Sequence, residues 1–110
     1  MELSKKDKKA ARILIEQGLH IEYALGLSQF DSILQQWKNK ELNNHDAYMQ
    51  LYDSVIKYDK HIARRYNDLG GSRYLMTVVA LLRDGIIAEN DLRIFSDEAR
   101  NNILFCAGYD

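Results

Sequence analysis

The residues best suited to chemistry lie between Lys57 and Tyr74. Lys57, Lys60, Arg64, Arg65 and Arg73 set five cations against Asp59 and Asp68, and His61 falls in the same stretch. The stretch closes with Gly70-Gly71-Ser72-Arg73-Tyr74, at the expected start of a helix. Free amides and the helix dipole favour an anion there. Arginine adds planar, multi-donor recognition of phosphate or carboxylate. On this reading a small anion or nucleotide is held by Ser72, Arg73 and the Gly71 amide, with Arg64 or Arg65 assisting. The plainer reading has Arg64, Arg65 and Arg73 paired with Asp59, Asp68 or other acids, locking the corner between two helices. A Walker loop needs lysine after its last glycine, and that spacing is absent.

Other chemistries find less. Ser72 lacks the G-x-S-x-G setting of a nucleophile, and no expected strand precedes it. His61 lies eleven residues upstream, with no evident third member of a triad. His20, His45 and His61 are scattered, and the step from Glu16 to His20 differs from the Glu-x-x-His of di-iron bundles. The one cysteine, Cys106, cannot build a thiolate zinc set and reads as a small core residue. No metal or cofactor is called for, no catalytic residue is nominated, and the balance leans away from an enzyme. The pair of segments 73–83 and 89–95 superficially resembles a helix-turn-helix. Residues 84–110 carry six acids against two arginines, so phosphates would repel such a reader. Nucleic acid is an improbable partner.

The elements that would position these residues read as helices. Leu75 to Leu82 is unbroken by charge, and a helix over 73–83 has almost no polar face, so it needs apolar neighbours on nearly every side. Ser72 is its expected N-cap. Gly85 suits the left-handed position past its end, with Ile86 folding back onto Leu81. At ~1.5 Å per residue the helix spans only ~16 Å, far short of a ~30 Å bilayer core.

Upstream, Ser4 to Lys40 reads as one long helix or two stacked ones: Gly18 and Gly26 each cost about 1 kcal/mol in a helix interior and either could break it, and a continuous, bent helix is the favoured reading. Ser4 and Asp7 form a capping box with a shortened acid. One stripe holds Ala10, Leu14, Ile21 and Leu25. A second holds Tyr23, Leu27, Phe30, Leu34 and Trp37 at steps of four, three, four and three, a heptad-like seam suited to a partner helix. A helix of that length, ~50 Å, exceeds a domain whose radius of gyration is ~13 Å, so it must bend, or project and meet a second copy. Asn43 or Asn44 should cap the next helix, running from about His45 to Leu69 and ended by Gly70-Gly71. A short helix over 89–95 and a last one capped by Ser96 and running to about Cys106 complete the expected set.

The totals agree with this outline. The chain has 110 residues, 46% apolar and 28% charged, with no proline, one cysteine and a net charge of −1 at pH 7. These values indicate one ordered helical domain in a reducing compartment, with no field to recruit nucleic acid or anionic lipid. Lys5 and Lys6 are not followed by the apolar run of a signal peptide. The expectation is an all-α bundle of four to five helices with the 73–83 helix central, spanning 1–110 as a single cytoplasmic domain. It acts as a protein–protein interaction or regulatory module, through itself as a homodimer or through another helical protein. Tyr23, Leu27, Phe30, Leu34 and Trp37 are the candidate interface. The anion-responsive domain is the alternative.

Overall fold

The computed structural model describes residues 2–109 and is all-α, with no strand among them. Helix α1 is Lys5–Lys38, α2 is Asn44–Tyr66, α3 is Tyr74–Arg83 and α4 is Asp97–Cys106. Two 3-10 segments, Gly71–Arg73 and Glu89–Ile94, precede α3 and α4 respectively. The chain divides into two compact units: residues 1–20 with 68–110, and residues 21–67. None of the described helices is long and apolar enough to cross a membrane.

In the first unit α3 is central. Val78, Val79, Leu81 and Leu82 are buried, as are Ala10, Ala11, Leu14 and Ile15 of α1, Leu92 and Phe95 of the connecting segment, and Ala99 and Ile103 of α4. The enclosure is not complete. Met76 is exposed, so α3 keeps one open side despite its composition. Its C-terminus follows the expected glycine stop. Gly85 has φ 72°, its amide reaches the Leu82 carbonyl, and the Ile86 amide reaches that of Leu81, the paired bonds of a Schellman motif. Its N-terminus departs from expectation. Ser72 caps nothing, because a 3-10 turn starting after Gly70 leads into α3 and Arg73 occupies the cap position without a side-chain bond. The expected helix over 89–95 is likewise a 3-10 segment, Glu89–Ile94.

Capping also joins the ends of this unit. Ser4 accepts from the Asp7 amide as expected, and the buried Asp7 carboxylate accepts from the Ser4 hydroxyl and from the Ser96 amide and hydroxyl, the last two at 2.8 and 2.7 Å. Ser96 in turn caps α4 through the Ala99 amide. Burial raises the Asp7 pKa, but the bonds from Ser96 and Ser4 and the charge of Lys6 outweigh it and hold the carboxyl below its usual range.

The second unit is a helical hairpin. Residues 21–38 of α1 and all of α2 are joined by a short loop in which Lys40 is left-handed, with φ 62°. Asn43 is the N-cap of α2 and accepts from the Asp46 amide at 2.7 Å. Helix α1 runs unbroken through Gly18 and Gly26. Helix α2 ends at Tyr66 rather than near Leu69. Asn67 is its C-cap, and Asp68, with φ 55°, turns the chain before the glycines are reached.

Candidate functional site: the groove of the hairpin

The site begins with a buried carboxylate. Glu22, 3% exposed, sits on the side of α1 that faces α2. One of its oxygens accepts from His61 Nε2 at 2.6 Å and from the Arg65 guanidinium at 3.0 Å, and the other accepts from the Tyr66 hydroxyl. The Glu22 backbone carbonyl accepts from the Tyr58 hydroxyl. Residues 58, 61 and 65 recur at helical spacing on one face of α2, and Tyr66, next to Arg65, adds the fourth donor from the edge of that face. Burial alone would push the Glu22 pKa up. The bonds from His61 and Tyr66 and the charge of Arg65 prevail, holding it below the usual glutamate range. Burial, the bond to Glu22 and its charge raise the Tyr66 phenol well above its ordinary value.

Next to this cluster the helices come close because α1 lacks a side chain. A Cβ on Gly26 would lie 2.8 Å from the Tyr58 ring, so only glycine lets that ring rest against the α1 backbone. The ring lies parallel to His61 at 5.8 Å and meets Phe30 in a T-shaped contact at 6.1 Å. A groove of about 400 Å³ opens at this point, walled by Tyr23, Leu27, Phe30, Val55, Tyr58 and Ile62, with Asp59 at its margin. Towards the loop a second hollow of about 280 Å³ lies among Leu34, Trp37, Ala47, Tyr48 and Leu51. The Trp37 indole is fixed there by a 2.7 Å bond to the Asn44 side chain.

The two hollows lie on one side of the hairpin. Helix α1 presents Tyr23, Leu27, Phe30, Leu34 and Trp37 along them, and α2 presents Tyr48, Leu51, Val55, Tyr58 and Ile62 at steps of three, four, three and four. Phe30 is half-buried, while Tyr23, Leu27, Leu34, Trp37, Tyr48 and Val55 are all exposed. The opposite hollow is polar, lined by Gln29, Ser54, Lys57, Tyr58 and His61. No family model, curated protein or solved structure matches the chain.

The residues expected to hold an anion fall in both units. Arg64 is exposed on α2, and Arg65, 15% exposed at its side chain, is committed to Glu22. In the first unit Gly71 is half-buried beside the Lys8 side chain, whereas Ser72 and Arg73 are exposed. Arg65 is thus bonded to a carboxylate, and the Lys8 side chain lies next to Gly71. His61 and Glu22 form a base–acid pair, but among the described residues no hydroxyl or thiol is hydrogen-bonded to the imidazole. An orienting acid and a base are present, with no nucleophile hydrogen-bonded to the base among the described residues. No group of three His, Cys, Asp or Glu among the described residues is placed to hold a metal.

Their residue types alone do not mark Glu22, Gly26 and Tyr58 in the sequence. The signal that marks them is positional: on α1, residues 22, 26 and 33 fall between the two apolar stripes, on the side that must face α2. An acid there demands donors, and His61 with Arg65 one turn later supplies them.

Proposed function

We propose that this protein is a protein–protein interaction module that works through the apolar side of its hairpin, and that its partner is a second copy of the chain. The observation that carries the reading is the exposure of an aromatic and aliphatic strip along both helices of a unit that has only two helices. Such a pair forms one layer, and a stable helical core needs a second. Three exposed aromatics, Tyr23, Trp37 and Tyr48, contribute about 300 Å² at ~200 Å² for each whole ring side chain. Leu27, Leu34 and Val55 bring the strip to roughly 550 Å², against the ~500 Å² per partner that a specific interface needs at minimum.

Charge favours self-association over a strongly charged partner. Residues 21–67 hold six acids (Glu22, Asp31, Glu41, Asp46, Asp53, Asp59) and six bases (Lys38, Lys40, Lys57, Lys60, Arg64, Arg65). Two such units meet with little net repulsion. The lone cysteine fits a cytoplasmic setting for the assembly.

The test is a pair of substitutions read by light scattering. Leu27, 65% exposed, lies in the strip, and Leu25, 47% exposed, lies on the far side of the same helix. Leu27→Lys should give a monomer with unchanged helix content, and Leu25→Lys should leave the dimer intact. Equal behaviour of the two variants would remove the groove from the reading.

A further inference from the structure

We propose that the polar flank of the hairpin binds a phosphate group, with Lys57 and Gln29 donating to its oxygens and His61 bonding it through Nδ1. This flank lies opposite the apolar strip, so the site stands whether or not two copies pair. A hollow of about 330 Å³ opens there, lined by Gln29 of α1 and by Ser54, Lys57, Tyr58 and His61 of α2. That volume falls within the ~300–1,000 Å³ of small-molecule sites.

The imidazole is oriented before any ligand arrives. Its Nε2 is bonded at 2.6 Å to Glu22, a carboxylate kept ionised by its bonds to His61 and Tyr66 and by Arg65. An ionised carboxylate only accepts, so Nε2 carries the proton. Nδ1 is then the acceptor of the neutral ring, or a second donor once the ring is charged. The Tyr58 ring lies parallel to the imidazole at 5.8 Å, and its own hydroxyl is bonded to the Glu22 carbonyl. His61 is thus held from two sides, which lowers the ordering cost of binding. Among the described residues Nδ1 has no bond of its own.

The other polar groups of the hollow are also uncommitted. Gln29, Ser54 and Lys57 form no side-chain hydrogen bond or ion pair among the described residues. No acid lines the hollow: Glu22 is enclosed by its own donors, and Asp59 stands at the margin of the apolar groove. Asp53, one turn before Lys57, is exposed and unpaired, and Lys60 and Arg64 extend exposed positive charge along the same face of α2. The set also selects among anions. Carboxylate and sulfate ions offer oxygens only. A phosphate monoanion carries a hydroxyl as well, which neutral Nδ1 accepts while Lys57 and Gln29 donate to the remaining oxygens.

Amide and imidazole NMR signals of the full chain test the site, recorded near neutral pH with inorganic phosphate, glycerol phosphate or sulfate at matched ionic strength. Both phosphates should give saturable shifts at Gln29, Ser54, Lys57 and the His61 ring, with the rings of His20 and His45 unmoved. Sulfate should bind roughly tenfold more weakly, for want of the hydroxyl. Glycerol phosphate binding at least as strongly as the free ion assigns a monoester; weaker binding assigns the free ion. Lys57→Ala, at an exposed position, should weaken phosphate binding roughly tenfold with helix content unchanged, and Arg73→Ala should leave it as it was. Shifts that do not saturate, that persist undiminished in Lys57→Ala, that sulfate matches, or that centre on Gly71 to Arg73 would overturn the site.

Discussion

Glu22 is a carboxylate almost without water, and its protonation governs how the hairpin answers to acid. Its pKa is depressed in the folded chain, so the unfolded chain takes up the proton first as pH falls. The stability it contributes is complete above the ordinary glutamate value of 4.5 and is lost as pH drops through the lower, folded value. Asp7 acts in the same direction in the other unit. Glu22→Gln leaves Arg65 without its counter-charge and should cost about 3 kcal/mol at pH 7, as breaking a buried pair does. It should also make the acid limb of the stability curve shallower without abolishing it, because Asp7 remains. Urea titrations from pH 7 to pH 3 check both effects, and an unchanged slope below 4.5 would contradict the role given to Glu22. The same residue shows what composition conceals. Arg64 and Arg65 are neighbours of identical type, yet one turns to solvent and the other to a carboxylate far earlier in the chain, a distinction set by helical phase against a partner helix.

At the scale of elements, the ends of helices were legible where side chain or backbone leaves few choices. Asn43 and Ser96 cap as their types demand, and Gly85 stops α3 as its position demands. Ser72 does not cap α3 because a local 3-10 turn satisfies the Arg73 and Tyr74 amides through the Gly70 and Gly71 carbonyls, an option that a cap residue alone does not reveal. The C-terminus of α2 misled for a related reason. Asp68 takes the left-handed conformation that Gly70 or Gly71 would have adopted at less cost. Gly85→Ala should lower stability by about 1–2 kcal/mol, because alanine at φ 72° is strained and the Schellman bonds depend on that angle. Thermal and urea unfolding measure it, and a variant as stable as the parent would show that the α3 stop can form another way.

For the whole molecule, the apolar stripes separate into two fates. The first, Ala10 and Leu14, is consumed by the core of unit one, while its continuation at Ile21 and Leu25 is exposed. The second, Tyr23 to Trp37, was visible from spacing alone as a seam for a partner helix, and α2 proves to carry a matching seam beside it. What spacing could not show is that the partner within the chain covers only one flank, leaving a groove and not a closed core. The central claim is that a second copy closes it. Sedimentation velocity of the unmodified chain, from about one to one hundred micromolar, tests this most directly. The account predicts a species that shifts with concentration from the 12.8 kDa chain to twice that mass. A single 12.8 kDa species across the whole range would contradict it.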